Sequence, residues 1–354
     1  LWPHLEGFYG NAWKKMQTAQ SLYDHKFPWL REQVPEGMDI HEPSTASSII
    51  DHFRDNVRVQ NILPVRDDWG TSQEARNKKA LLLRLDKYVL DKFREQGPVD
   101  PFTQVVFDMS LRGAAAWQIG YDARRWPEAP EALSGNVKKL WLQERGMRFP
   151  LWLRPIDPMQ VAPAPGYEFP MPWCVTKREM TSYEAAELYP QYRPPERRKP
   201  ATVVAILELW SAPDYDSGDK GVHKVVVDNQ LVVERENPFG VVPIVYEFSG
   251  MGRIDENSDP ASLAVNMLEK ATSELIAEAR IKTNADAIWQ FTAWPRLMTT
   301  EDPRSVKIQW DMSAGGILRV TGLGPDNRPQ WLEQPQVDAA MWNFLPMVLK
   351  SIEK

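Results

Sequence analysis

The sequence predicts an α+β protein, on three observations. Apolar residues recur at helical spacing before residue 112 and again after residue 259. Between 202 and 248 they fall instead into four short β-rich runs separated by turn residues. Residues 126–200 are broken by proline and are expected to be extended or turning chain crossed by short strands.

Residues 1–45 are rich in Trp, Pro and Tyr, with helical pieces expected around Asn11–Tyr23. Ser44 and Thr45 are cap candidates for a helix carrying Ile49, Ile50, Phe53 and Val57. A longer helix is predicted over Ser72–Gln96 on the ladder Ala75, Leu82, Leu85, Val89 and Phe93, stopped by Gly97-Pro98. Pro101–Arg112 is a third helix, and the alternation of Trp117–Tyr121 marks a strand. Thr181-Ser-Tyr-Glu184 has capping-box spacing, with hydroxyl and carboxylate placed to satisfy each other's backbone N–H. Strands follow at Thr202–Trp210, Val222–Val227, Leu231–Glu234 and Val241–Phe248, the middle two joined by an Asp228-Asn229 turn.

Past Gly252 the pattern changes. Asp259 is an N-cap with Pro260 at the first helical position. A single helix is predicted from there to about Gln290 on Ala264, Leu268, Ala271, Leu275 and Ala279, on the order of 45 Å long. Trp294-Pro295 ends it. Short strands and glycine turns fill 295–334, and a second helix begins near Pro335, with a kink expected at Pro346. The predicted organisation is therefore a domain over 1–258, a helix over 259–291, a β-containing insertion over 292–334 and a returning helix over 335–354. The chain begins at Leu1 and stops inside a helical pattern, so a longer protein is expected around it.

Composition narrows the function. Cys174 is the only cysteine, which excludes internal disulfides and cysteine-cluster zinc sites. With 42 basic against 48 acidic residues the net charge is −6, the wrong sign for a tight non-specific nucleic-acid binder. No apolar run reaches the ~18 residues of a membrane helix. His41-Glu42 is followed by Pro43, which breaks the helix a zinc-protease motif requires. Gly250-Met-Gly252 has Asp255 where a dinucleotide fingerprint needs its third glycine. Asp214, Asp216 and Asp219 imitate a calcium loop, but Val225 stands where the bidentate Glu belongs. No catalytic residue, cofactor or metal is predicted. The 15 Trp outnumber the 12 Phe, and core packing and subunit contacts are both readings for them. The Arg193, Arg197, Arg198, Lys199 cluster reads as an exposed loop, an inter-subunit salt-bridge loop or, last, a nucleic-acid contact.

The order of the segments resembles the portal (head-to-tail connector) proteins of tailed bacteriophages. The likeness is carried by Phe107–Gly113 through Gln118–Asp122, by Arg154-Pro-Ile-Asp-Pro158 through Pro165-Gly166, and by Glu208-Leu-Trp210 with Val225–Val233. Asn237-Pro-Phe-Gly-Val-Val-Pro-Ile-Val245 then precedes the helix, β insertion and returning helix. It covers residues 45–354; the family's tunnel loop and crown would lie beyond Lys354. The resemblance implies a wing, a stem, a clip and the second half of the stem. It further implies a homo-oligomeric ring of about twelve copies at one capsid vertex in the virion, through which double-stranded DNA is packaged and ejected. Terminase, the major capsid protein and a head-completion or tail adaptor would be its partners, with no chemistry of its own. The alternative reading is a Trp-rich cytosolic enzyme or carbohydrate-binding protein.

On the portal reading Leu268 and Leu275 are expected at the subunit interface. Glu274 and Glu278, at i,i+4 on one face, are expected to point into a hydrated channel with Lys270 and Lys282 near DNA phosphates. Trp294, Arg296, Arg304 and Trp310 are expected to dock partners at the clip.

Overall fold

The computed structural model describes residues 2–32, 40–57, 73–122, 126, 134–146, 148–166, 170–195, 199, 201–214, 218–252, 259–293, 297–300, 317–320, 330–331 and 346–350. It mixes helix and sheet, as expected of an α+β chain. The chain divides into two compact units: Leu1–Gln17 with Phe53–Asn266, and Thr18–His52 with Met267–Lys354. The boundary thus lies later than 258, and residues 18–52, expected within the first domain, belong to the second unit.

The first unit is built on two antiparallel sheets. Helices α1 (Trp2–Tyr23), α2 (Pro28–Arg31), α3 (Thr45–Asn56), α4 (Gln73–Arg94) and α5 (Pro101–Arg112) precede them in sequence. Asp100 caps α5 by accepting from the Phe102 N–H, and Gly113 closes it in the left-handed region at φ 75°. A Cβ at Gly113 would also lie 2.6 Å from the backbone of Ala264, so only glycine fits.

The smaller sheet orders β2 (Leu151–Ile156), β1 (Ala114–Tyr121) and β8 (Ile244–Phe248), with β1 central. Opposite Trp152 stands Gly120, where a Cβ would strike the indole at 2.1 Å. The larger sheet orders β3 (Val161–Pro163), β4 (Trp173–Thr181), β5 (Val203–Ser211), β6 (Val222–Val227) and β7 (Gln230–Glu236). Helix α6 spans Gly135–Gly146 and α7 spans Ser182–Leu188, the latter opened by the predicted Thr181/Glu184 capping box. Asp228 and Asn229 both take positive φ, 47° and 64°, as a two-residue hairpin turn requires.

Among its described residues the first unit buries three apolar clusters. Ala114, Ala116, Ile244 and Tyr246 of the small sheet join Met16, Val161, Cys174 and Trp210 in one. Trp2, Leu5 and Tyr9 of α1 meet Ala162 and Val175 in a second. Ala185 of α7 meets Ile206, Val225 and Val227 in the third. Each large side chain taken fully out of water here contributes roughly 1.5–3 kcal/mol. The Asn-Pro-Phe-Gly turn is pinned by its first residue: Asn237 donates to the Ser211 and Val241 carbonyls and accepts from the Phe239 N–H.

The predicted continuous helix after Asp259 is interrupted. Asp259 caps α8 (Pro260–Leu263) as expected, but Ala264 leaves helical geometry at ψ 65°. A 3-10 turn at Glu269–Ala271 follows, and α9 runs only from Thr272 to Ala293. The Ala264 break has a visible cause, since that stretch is pressed against Gly113 and the Val265 carbonyl accepts from the Ser249 hydroxyl. Strands β9 (Leu297–Thr300), β10 (Ile317–Val320) and β11 (Gln330–Trp331) form a small mixed sheet, β9 parallel to β10 and antiparallel to β11. Residues 346–350 are helical.

Candidate functional site

The residues expected to carry function fall mostly on α9 and the turn before it. Leu268 and Leu275 are each 1% exposed in the single chain. Covered by the chain itself, they leave no side-chain surface for a neighbour, and their assignment to a subunit interface is corrected. The Glu278 assignment is corrected as well. It is 0% exposed, and its Oε1 accepts from the Thr45 hydroxyl at 2.9 Å and from Lys282 Nζ at 2.6 Å. A carboxylate enclosed this way cannot face a water-filled channel.

Spacing along α9 sets Glu278 only against Glu274, whereas the segment 41–45 supplies the competing partners. His41 N–H donates to Thr283 Oγ1 and the His41 ring meets Asp286 at 3.0 Å on the same helix. Lys282 is thereby committed to Glu278. Lys270 is exposed, and Glu274 is half-buried beside the Ser273 hydroxyl, whose hydrogen bond holds its carboxyl below the usual range. Trp294, Arg296, Arg304 and Trp310 lie outside the described residues.

A second polar centre, missed in the sequence, crosses the larger sheet. Register places Cys174, Trp210, His223 and Arg235 opposite one another on β4 to β7. Glu208 is two residues before Trp210 on the same face. His223 Nε2 meets Glu208 Oε1 at 2.8 Å, the Trp210 indole donates to the same oxygen at 3.0 Å, and Arg235 Nε donates to His223 Nδ1 at 3.0 Å. Because Nδ1 accepts from Arg235, the ring proton is assigned to Nε2, which donates to Glu208. The Trp210 and His223 rings stack with centroids 3.7 Å apart. Burial pushes the Glu208 carboxyl up, but the bond from His223, the Arg178 charge and the Trp210 indole outweigh it and hold it below the ordinary value. Alternation of Ile206, Glu208 and Trp210 on one face was the available signal, a carboxylate breaking an apolar stripe.

This centre is closed. His223 is 5% exposed, and Cys174, on the far side of Trp210 from it, is a buried thiol whose pKa is driven up by desolvation, so it is no nucleophile. Its chemistry is that of a satisfied network holding four strands in register. A third buried carboxylate, Asp108 on α5, is less well served. It sits 3.6 Å from Arg112, which pairs more closely with Asp157 at 2.8 Å, and burial raises its pKa to about 6.

Two clefts open on the first unit. One, of about 480 Å³, lies among Phe93, Pro98, Val99 and Trp152. Its floor is the outer edge of β2, where Gln96 stands in for a strand: it donates to the Leu151 carbonyl and accepts from the Leu153 N–H. The other, of about 320 Å³, is lined by Trp2, Glu6, Trp13 and Lys177. Trp2 stacks on Trp13 at 5.3 Å while Lys177 lies 5.6 Å from the Trp2 ring. Among the tryptophans whose surroundings are described, Trp2 and Trp210 are buried and the others are half-buried. Among the described residues no three His, Cys, Asp or Glu side chains converge to hold a metal. No helix of the described residues is long and apolar enough to cross a membrane. Compared with protein-family models and with curated proteins, the chain matches none.

Proposed function

We propose that this chain is a subunit of a tailed-phage portal, a ring at one capsid vertex through which double-stranded DNA enters and leaves. The observation that carries the reading is the order of its second half. The 22-residue helix α9 leads into the small sheet β9–β10–β11, and the chain is helical again at 346–350. That order, after an α+β region with the Asn-Pro-Phe-Gly turn, supports stem, clip and returning stem. On this reading the clip meets terminase and later a tail adaptor, the wing meets the major capsid protein, and packaging energy comes from the terminase.

The acidic balance fits a conduit, because a wall with few fixed cations lets a polyanion slide. Native mass spectrometry with negative-stain imaging tests the proposal. Closed rings of about a dozen copies are expected, and a protein that stays monomeric or dimeric at all concentrations overturns it. Rings should also bind duplex DNA weakly, with a shallow dependence on salt.

A further inference from the structure

Two helices of the first unit present bare faces of opposite character. On α4, Leu81, Leu85 and Tyr88 are 67%, 52% and 43% exposed, and their i, i+4, i+7 spacing makes one continuous stripe. Phe93, in its last turn, is the one buried residue of this helix among those described. The chain itself half-covers another face of this helix, with Leu82, Leu83, Val89 and Leu90, so the Leu81–Leu85–Tyr88 stripe is apolar surface beyond what the fold uses. Lys78 and Arg84, three residues either side of Leu81, flank the stripe. The helix carries seven cations against three carboxylates, in a chain whose net charge is −6.

Helix α7 is the counterpart. Ser182 and Ala185 face the core, which leaves Tyr183, Glu184, Glu187 and Leu188 on the outer side, Tyr183 and Leu188 being 66% and 53% exposed. It contains no cation. Glu184 is held ionised, because the Thr181 N–H and hydroxyl keep its carboxyl below the usual range.

We propose that the α4 stripe of one copy docks on the α7 face of a second copy. Leu81, Leu85 and Tyr88 would cover Tyr183 and Leu188, with Lys78 and Arg84 opposite the α7 glutamates at the rim. Charge complementarity selects this occupant: two α4 faces would set cation against cation, two α7 faces carboxylate against carboxylate. The surfaces differ, so the contact is heterologous, and each copy offers one of each. That is the arrangement which propagates head to tail, and it gives a ring when the rotation from copy to copy closes. The inference rests on the ring reading and gives it the subunit contact that Leu268 and Leu275 do not supply.

Sedimentation velocity on four samples tests it: the wild type, Leu81→Asp/Leu85→Asp, Tyr183→Asp/Leu188→Asp, and an equimolar mixture of the two variants. Each variant alone should require at least tenfold more protein to assemble. The mixture should stop at a dimer, because only one intact α4 stripe and one intact α7 face can meet. All four positions are exposed, so the helical signal and unfolding midpoint should not change. If either variant loses them, Lys78→Glu/Arg84→Glu replaces it, with Glu187→Lys on the partner expected to restore assembly. A wild type that forms rings while both variants assemble equally well overturns this contact alone. A wild type that never assembles overturns the ring reading together with it.

Discussion

Glu208 and Asp108 are both largely buried carboxylates of the first unit, and their pKa values move in opposite directions. Glu208 lies between two apolar clusters yet sits below its ordinary pKa, because His223 and Trp210 donate to it and Arg178 is close. Asp108 receives one long hydrogen bond from Gln104, at 3.3 Å, and half the attention of an arginine that prefers Asp157. Burial then dominates and its pKa rises to about 6. Depth alone does not set the charge of a carboxyl; the number of donors aimed at it does.

The largest effect should come from emptying the well-served site. Glu208→Ala leaves the His223 and Trp210 N–H donors without their acceptor, and should cost about 2–4 kcal/mol in urea unfolding. Glu208→Gln keeps one acceptor oxygen and should cost distinctly less. A loss under 1 kcal/mol for Glu208→Ala would mean the network does not hold the sheet.

Asp108 gives the second test, with opposite sign. Its folded pKa of about 6 exceeds the ordinary 3.8, so the folded state holds the proton more tightly than the unfolded chain. Stability from this group is therefore full below about pH 4 and falls as pH rises through 6, by about 3 kcal/mol in all. Asp108→Asn should remove that slope from unfolding midpoints measured between pH 4 and 7. An unchanged slope would show that another group titrates there.

Smaller effects should follow from trimming single donors. Arg235→Ala takes away the hydrogen bond that fixes the His223 tautomer and should cost about 1–2 kcal/mol. Gln104→Ala removes the weak bond to Asp108 and should move its titration further upward in a carboxyl-resolved NMR titration, with less than about 1 kcal/mol lost. If Gln104→Ala proved costlier than Arg235→Ala, the contrast between the two sites would be inverted.

Local chemistry was legible wherever a residue acts on its own neighbours. The caps at Asp259 and Thr181, the Asp228-Asn229 turn, the α5 boundaries and the β6 strand follow from spacing, because their partners lie within a few residues. The site was read poorly. Glu278 looked like a solvated helix carboxylate until Thr45, 233 positions away in sequence, was found donating to it. The helix expected to run unbroken from Asp259 breaks at Ala264 because Gly113 lets a distant backbone press on it.

What the sequence determined by itself is therefore the mixture of helix and sheet and the bounds of those elements whose caps and turns are local, since short-range sterics and backbone hydrogen bonds decide these. Helix α6 (Gly135–Gly146), in the proline-broken stretch expected to be extended chain and short strands, was not among them. The tertiary structure alone decided which charges are enclosed and which stripes stay bare. Leu275 and Leu85 are both leucines on helical ladders, yet one is 1% and the other 52% exposed. Periodicity says that a helix has an apolar face; only the packing of distant segments says whether the chain covers it or leaves it for another molecule.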